Sequence, residues 1–227
     1  MSEGRREGTR EGGGAITEAR QAWRALILTL VAFGVASLVD QWAYQNLWNP
    51  KVYDRDWGRL LRVMGFLGTW AALAAAVRLH EGGGAGGPRR AARRAWLLLG
   101  SAAVGGLVAE VLKLLIRRER PEIHAGLYGF RSFAERTWST AGLALPSSHT
   151  LVAFGGAAML ARLYPRARWV GYTLAAGCGI TRVLARAHFV SDVTLAAGLG
   201  WLVAWALTRR WPPDGAPRDG ATPAGAT

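Results

Sequence analysis

The sequence has a single cysteine, only two lysines and no apolar core within its first twenty residues. One cysteine, Cys178, excludes an intramolecular disulfide, and its apolar surroundings favour a small packing residue. Without an apolar core near the N-terminus, we expect no secretory signal peptide. Lysine is so rare beside 26 arginines that Lys113, inside an apolar run, is a candidate functional residue.

Basic residues outnumber acidic ones by 28 to 15, which gives a net charge of +13. In a soluble protein this charge would favour nucleic-acid binding, but here it lies between long apolar segments, which is typical of membrane topology. We therefore expect no nucleic-acid partner. Residues 1–21 and 211–227 have too few apolar side chains to fold and are predicted to be disordered tails of a membrane domain at 22–210.

The predicted membrane domain contains six apolar segments, at approximately 23–47, 60–79, 93–116, 148–164, 168–184 and 188–208. Their uncharged runs are shorter than the roughly 20 residues of a span, but flanking arginines and tryptophans extend them. Residues 195–207, for example, are apolar on all sides of a helix. The sequence predicts an all-α fold, a six-transmembrane helical bundle. The alternative, a soluble helical bundle, would lack the polar surface to cover these segments.

Arginines indicate the orientation of this bundle. Many lie in the loops on the side of the N-terminus: Arg78, Arg89, Arg90, Arg93, Arg94, Arg162, Arg166, Arg168, Arg209 and Arg210. The positive-inside rule then predicts cytoplasmic N- and C-termini in a bacterial cytoplasmic membrane. The opposite face is also rich in basic residues, which an anion-binding site would explain.

Three polar clusters fall on that extracytoplasmic face, because six spans alternate in direction. The first cluster runs from Lys113 to Arg120 and Pro121, the second is the segment 146–149, and the third is the segment 181–192. We therefore expect the clusters to form one site facing away from the cytoplasm.

The basic and hydroxyl residues of the clusters suit phosphate binding. Arg120 and Arg182 can each donate two hydrogen bonds to phosphate oxygens, while Lys113 supplies a point charge. The seven-residue spacing of Lys113 and Arg120 predicts that both lie on one face of a helix. Ser147 and Ser148 lie where a helix begins, and free N–H groups at such a position favour an anion.

The histidines suit general acid and nucleophilic roles. His188 and Asp192 are four residues apart, which predicts neighbours on one helical face. The carboxylate can hold one imidazole nitrogen as N–H and leave the other free to attack, although a purely structural hydrogen bond is equally compatible with the spacing. His149 is suited to protonate a leaving group. Because no carboxylate cluster forms a convincing metal site, we predict metal-independent chemistry without a cofactor.

The remaining polar and aromatic residues of this face have less specific interpretations. Five further arginines are interpreted as interfacial charge only: Arg117, Arg118, Arg131, Arg136 and Arg186. The segment 122–145 carries four aromatic residues, Tyr128, Phe130, Phe133 and Trp138. It is either an interfacial cap that holds a lipid headgroup near the site or a plain aromatic belt.

The three clusters resemble the signature of the type 2 phosphatidic acid phosphatase family, which shares its site with vanadium haloperoxidases. That signature is a Lys, six residues and Arg-Pro; then Pro-Ser-Gly-His; then Ser-Arg, five residues, His, three residues and Asp. Nine positions match it in order and spacing: Lys113, Arg120, Pro121, Pro146, Ser147, His149, Arg182, His188 and Asp192. Two positions depart from it, since Ser148 replaces the glycine and Thr181 replaces the first serine of the third element.

The resemblance implies a lipid phosphatase in which His188 forms a phosphohistidine, Asp192 supports His188, and His149 acts as acid and then base. The phosphate-binding set would be Lys113, Arg120, Ser147, Ser148 and Arg182. The implied partners are the bilayer and a phosphorylated lipid: an isoprenyl pyrophosphate such as undecaprenyl pyrophosphate, phosphatidic acid or phosphatidylglycerol phosphate. The alternatives are a catalytically silent lipid-binding or lipid-transport membrane protein and a vanadium-dependent haloperoxidase-like enzyme.

Overall fold

The computed structural model describes the backbone of residues 4–84 and 86–213, with side chains at 19–84 and 86–213. Within those ranges the chain is helical and has no β-strand beyond two isolated bridges, which confirms the all-α prediction. The α-helices of the described residues are α1 (Gly4–Asn46), α2 (Asp56–Val63), α3 (Leu67–Gly82), α4 (Gly87–Ile116), α5 (Ser148–Leu163), α6 (Arg168–Leu184) and α7 (Val190–Arg210). Short 3₁₀ helices occupy Pro121–His124 and Pro165–Ala167.

The two predicted tails fall largely outside these ranges. The tail at 1–21 has described side chains only from residue 19, and the tail at 211–227 is described only at 211–213. Both tails stay predictions.

Three helical segments have the length and composition to cross a membrane: Ala19–Asn46 within α1, and the whole of α4 and α7. The pair α2 and α3 qualifies only jointly, and its two helices meet at 70°. Helices α5 and α6, with 16 and 17 residues, are about 24–26 Å long, shorter than the roughly 30 Å hydrocarbon core. The described residues therefore contain three candidate spans, or four with the bent pair, and the predicted count of six is not confirmed.

The bend between α2 and α3 interrupts the segment that was predicted as a continuous span at 60–79. Gly65 lies in the bend, where a Cβ would come within 2.6 Å of the Cβ of His149, so only glycine fits. The indole N–H of Trp70 donates to the Met64 carbonyl at 2.8 Å and helps to satisfy the broken backbone. The bend thus brings the α2–α3 corner against the start of α5.

Helix α5 is the centre of the bundle and contacts α4, α6 and α7, while α1 packs on α7 and α3 packs on α4. Its central position explains how a short helix is accommodated, because its side chains meet protein on nearly all sides. Helix α1, by contrast, exposes a continuous apolar surface: Trp23, Ile27, Leu28, Leu30, Val31, Val35 and Leu38. Such a large exposed apolar surface indicates contact with lipid.

Helices α5 and α7 approach closely at Gly200, which gives a first prediction. A Cβ at Gly200 would lie 2.7 Å from the backbone nitrogen of Gly155 and 2.9 Å from the Cβ of Phe154. Gly200→Val should therefore lower the free energy of unfolding by about 1–3 kcal/mol through overpacking, measured by denaturant titration in detergent. Gly34→Val is the matched control, because nothing lies within 4 Å of that position. Equal losses in both variants would contradict the assigned packing.

Candidate active site

The three predicted clusters come together where the C-terminal ends of α4 and α6 meet the starts of α5 and α7. The N–H of Ser147 donates to the backbone carbonyl of Asp192 at 3.3 Å, which joins the second cluster to the third. The charge of Lys113, from the first cluster, acts on both His149 and His188. The structure therefore assembles the residues that sequence spacing placed on one face.

The second cluster begins helix α5, as predicted. Ser147 is the N-cap residue and is fully buried. Its hydroxyl accepts hydrogen bonds from the N–H of Thr150 at 3.5 Å and from the Thr150 hydroxyl at 3.0 Å. Ser148 occupies the first helical position, where the backbone N–H has no partner within the helix.

Lys113 lies in the last turn of α4 and is almost fully buried. Its ammonium donates to the hydroxyl of Ser148 and to the carboxylate of Glu110, the latter at 3.3 Å. The Ser148 hydroxyl in turn donates to Glu110 at 2.5 Å. Ser148, which departs from the family signature, therefore links the lysine to a carboxylate that sequence analysis missed. The available signal for Glu110 was its i, i+3 spacing to Lys113 within an apolar helix.

The predicted helix from Lys113 to Arg120 is wrong. Helix α4 ends at Ile116, because Arg117 adopts the left-handed conformation (φ 59°) that terminates a helix. Arg120 is held instead by its backbone N–H, which donates to the carbonyl of Gly142 at 3.0 Å. Its charge nevertheless acts on Lys113, so the two cations share the site through loop geometry.

The proximity of His188 and Asp192 is confirmed, but the helical reason for it is wrong. Helix α7 begins only at Val190. Asp192, in its first turn, reaches back to accept a hydrogen bond from the N–H of Phe189 at 2.8 Å. The Nδ1 of His188 lies 3.6 Å from Oδ2 of Asp192, longer than a direct hydrogen bond. Burial lowers the pKa of His188 to about 4, against the opposing effect of Asp192, so the imidazole is uncharged at neutral pH.

Arg118 forms an ion pair inside the protein, so its interpretation as interfacial charge is wrong. Its guanidinium donates to Oδ1 of Asp192 and to the hydroxyl of Ser191, the latter at 2.8 Å. Asp40 of α1 accepts from the Ser191 N–H at 2.9 Å and from the Tyr128 hydroxyl at 2.7 Å. All but Tyr128 are buried. Asp192 is thus held by a charged network that reaches into α1.

Three of the other four arginines also have structural partners that exclude a purely interfacial role. Arg117 is only 1% exposed; its Nε donates to the carbonyl of Arg131 at 3.1 Å, and it contacts three further carbonyls of the α4–α5 loop. Arg131 pairs with Glu119 at 3.1 Å. Arg186 donates to a backbone carbonyl of α1 at 3.0 Å. Arg136 is exposed, as the interpretation expects.

The aromatic segment 122–145 has two kinds of environment. Phe130, Phe133 and Trp138 are exposed, which both the cap and the belt interpretations expect. Tyr128 bonds inward to Asp40 and packs edge-on against Phe189, with 5.0 Å between ring centroids. The segment therefore contacts the residue next to His188.

Several polar nitrogens of the site lack hydrogen-bond partners within the described part of the chain. These are Nε of Arg120, Nε of Arg182 and Nδ1 of His188, all buried. Arg182 is oriented by Tyr53, whose hydroxyl accepts from Nη1 at 2.9 Å. Buried guanidinium donors are rarely left unpaired, and phosphate oxygens are well-matched acceptors. Among the described residues no three His, Cys, Asp or Glu side chains converge as a metal site, and metal independence stays a prediction.

These features define a class: an all-helical protein with membrane-spanning helices and a cationic site around two histidines at one end of the bundle. The sequence model of the PAP2 superfamily matches residues 94–215. The chain belongs to the PAP2 superfamily, which confirms the resemblance drawn from the three motifs.

Similar proteins include the lipid A 1-phosphatase of Rhizobium johnstonii, which is 38% identical over 95 residues, or 42% of this chain and 38% of that protein. The lipid A 1-phosphatase of Rhizobium etli is 39% identical over 99 residues, or 42% of this chain and 41% of that protein. The chain thus spans about two fifths of the length of these curated relatives. Among solved structures, the PAP2-type phosphatidylglycerolphosphate phosphatase of Bacillus subtilis matches with a TM-score of 0.54 and 18% identity, covering 83% of this chain and 94% of that one. At that identity the match shows a shared fold alone.

Proposed function

We propose that this protein is a membrane lipid phosphatase that hydrolyses a lipid phosphate monoester or diphosphate through a phosphohistidine intermediate. The proposal rests on the buried, unpartnered Nε atoms of Arg120 and Arg182 in the same site as an uncharged His188, on which the charge of Arg182 acts. Guanidinium groups of this kind bind phosphate oxygens, and a neutral imidazole is a competent nucleophile. The names of the relatives, lipid A 1-phosphatase and phosphatidylglycerolphosphate phosphatase, support a phosphorylated lipid as substrate.

The first chemical step transfers the phosphoryl group to the protein. Because Nδ1 of His188 faces Asp192, the other ring nitrogen, Nε2, attacks phosphorus, and the P–O bond to the lipid breaks. His149 donates a proton to the departing oxygen. Negative charge on the phosphoryl oxygens is stabilised by the proposed phosphate-binding set: Lys113, Arg120, Arg182, the Ser147 hydroxyl and the backbone N–H of Ser148.

The second step regenerates the histidine. His149, now deprotonated, accepts a proton from a water molecule that attacks the phosphorus, and the N–P bond breaks as inorganic phosphate leaves. His188 recovers its electron pair and returns to the uncharged form. The negative charge of Asp192, 3.6 Å from Nδ1, favours the proton on that nitrogen through both steps. Neither step draws on a metal ion or a cofactor, so we propose metal-independent catalysis.

The proposal includes a topology of six membrane-crossing helices, with the short α5 at the centre of the bundle and the short α6 packed against it. Both termini lie in the cytoplasm, and the site faces the extracytoplasmic side of a bacterial cytoplasmic membrane. Arginines at the end of the bundle opposite the site support this orientation through the positive-inside rule: Arg78, Arg89, Arg90, Arg93, Arg94, Arg162, Arg166, Arg168, Arg209 and Arg210.

A lipid panel tests this function. The full chain, purified in detergent, is given phosphatidic acid, phosphatidylglycerol phosphate, an isoprenyl diphosphate and lipid A bearing a 1-phosphate. We expect phosphate release from at least one lipid in excess EDTA, with inhibition by orthovanadate. Lipid binding without release would favour the lipid-binding or transport alternative, and halide oxidation in the presence of vanadate and peroxide would favour the haloperoxidase. Activity that EDTA abolishes and a divalent ion restores would contradict the metal-free mechanism.

Glu110 competes with phosphate for Lys113, which gives a second prediction. Its side chain is 42% exposed and pairs with the ammonium at 3.3 Å. Glu110→Gln should therefore tighten inhibition by inorganic phosphate or orthovanadate about three- to tenfold, because the lysine loses a competing anion. Glu135→Gln, an exposed carboxylate of the α4–α5 loop, is the control for net charge. Weaker inhibition in Glu110→Gln would show instead that Glu110 holds Lys113 in its binding position.

A further inference from the structure

Arg62, in the last turn of α2, lies outside the three motifs and outside the residues matched by the family. Its guanidinium stacks on the ring of Tyr53 at 4.7 Å. Within the part of the chain that the structure describes, its side chain has neither an ion pair nor a hydrogen bond. Arg62 is therefore a cation that no carboxylate neutralises and that has hydrogen-bond donors to offer.

Tyr53 connects Arg62 to the phosphate-binding set. The Tyr53 hydroxyl donates to the backbone carbonyl of Thr181 at 3.1 Å and accepts from Arg182 at 2.9 Å. The guanidinium of Arg182 also lies 5.9 Å from the centre of the same ring. Two guanidinium groups, one from α2 and one from α6, thus surround a single tyrosine.

Arg62 lies on the His149 side of the site. The thiol of Cys178 is within 3.9 Å of the Arg62 carbonyl and 3.8 Å of the His149 carbonyl, so the two backbones flank one side chain. Gly65, three residues after Arg62, packs directly on His149. The charge of Arg62 acts on the imidazole of His149, the proposed proton donor to the leaving oxygen.

The cations of the site differ in whether a carboxylate already pairs with them. Lys113 is paired with Glu110, and Arg118 with Asp192. Arg120 lies 3.8 Å from the exposed carboxylate of Glu122. Arg62 and Arg182 have no ion pair within the described part of the chain. A phosphate monoester carries about 1.5 to 2 negative charges, and a diphosphate adds a second ionised phosphate with its own acceptor oxygens. A third guanidinium next to the leaving-group acid therefore suits a leaving group that is itself a phosphate.

We propose that Arg62 binds the leaving phosphate of a lipid diphosphate, and so favours diphosphates over monophosphates as substrates. The inference rests on the proposed phosphatase function. His188 bonds to the terminal phosphorus, the bond from that phosphorus to the bridging oxygen breaks, and the bridging oxygen departs with the lipid monophosphate after protonation by His149. Arg62 holds this product phosphate. When the substrate is a lipid monophosphate, the phosphoryl group passes to His188 and the leaving group is the lipid alcohol, which gives Arg62 no anion to bind.

The test compares an isoprenyl diphosphate with the isoprenyl monophosphate of the same chain. Arg62→Gln should lower the ratio of kcat/KM for diphosphate over monophosphate about tenfold or more, and Arg62→Lys should restore part of it, since the charge remains without the guanidinium fork. Arg55→Gln is the matched control, because Arg55 is exposed just before α2 and carries the same charge. We expect that variant to leave the ratio unchanged. An unchanged ratio in Arg62→Gln, whether both activities fall equally or neither falls, would overturn the proposal.

A binding measurement separates this inference from the proposed function. If the parent protein releases phosphate from no lipid of the panel, the phosphatase function fails, and the affinities for inorganic diphosphate and inorganic phosphate decide the role of Arg62. We expect Arg62→Gln to weaken diphosphate binding about tenfold while phosphate binding changes less. Equal affinities for diphosphate in the parent and the variant would exclude the subsite independently of catalysis.

Discussion

Replacing His188 with alanine is expected to lower kcat for phosphate release at least about 1,000-fold, because the proposed mechanism forms its covalent intermediate on this imidazole. The loss should appear for every lipid that the parent hydrolyses. It is measured with the purified variant in detergent, at saturating lipid and in excess EDTA. Orthovanadate should still bind to the variant through the arginines, since those contacts do not involve the imidazole.

His124→Ala is the matched control for His188→Ala. His124 lies on the same face of the bundle but is exposed and pairs with Glu119 at 2.7 Å, so we expect its loss to change kcat less than about threefold. Because His188 is buried, circular dichroism and a melting curve must show that His188→Ala is folded. A folded His188→Ala that releases phosphate as fast as the parent would show that another residue is the nucleophile.

Arg118→Met should have the second largest effect, on stability and activity together. It leaves the carboxylate of Asp192 buried without its ion-pair partner and removes the cation that reaches Asp40 through the Ser191 hydroxyl. Breaking a buried ion pair in this way lowers the free energy of unfolding by roughly 3–5 kcal/mol. Asp192 then loses its fixed orientation next to His188. Because Asp192 positions the proposed nucleophile, this change should lower kcat about 100-fold. Denaturant titration and phosphate release measure the two effects.

Two further variants test whether the effects of Arg118→Met come from the buried network around Asp192 or from the loss of one positive charge. Arg136→Met removes an exposed arginine of the same loop and should leave both quantities close to those of the parent. The double variant Arg118→Met/Asp40→Asn also removes the buried charge of Asp40, which is linked to Arg118 through Ser191. It should therefore recover part of the stability but none of the lost activity. Full recovery of activity in the double variant would contradict a positioning role for Arg118.

The sequence predicted the helical class, the family and the shared face of the three motifs, because each depends on local composition or on spacing along the chain. It did not predict the end of α4 at Arg117, whose left-handed backbone depends on carbonyls 14 to 20 residues away. The sequence also failed to predict the number of helices that are long enough to span a membrane. Helix α5 is apolar because protein surrounds it, whereas α6 exposes apolar side chains such as Trp169 and Ile180. A hydropathy pattern does not distinguish burial in protein from contact with lipid.

The network around Asp192 escaped prediction for a related reason. Arg118 contacts residues 73 and 74 positions later, and Asp40 contacts a residue 151 positions later. Arg117 and Arg118 are adjacent basic residues. Nothing in the sequence around them shows that Arg117 bonds to carbonyls of the α4–α5 loop while Arg118 pairs with Asp192. Asp40 did offer a signal, a carboxylate at the end of an apolar segment, where an ionisable side chain requires a partner. The sequence offered no such signal for Arg62, since its proposed role in binding the leaving phosphate depends on the contact with Tyr53 and on the position of α6.

The central claim is that His188 carries the phosphoryl group, and trapping the intermediate tests it most directly. The His149→Ala variant should still form the phosphohistidine with a diphosphate lipid, because a phosphate leaving group departs without its proton donor more readily than an alcohol does. It should hydrolyse the phosphohistidine slowly for want of a base. Rapid quenching at alkaline pH, followed by mass spectrometry of the peptide that contains His188, should show the added mass of one phosphoryl group, absent in His149→Ala/His188→Ala. Phosphate release from the lipid without any phosphorylated His188 peptide, at times shorter than one turnover, would contradict the account.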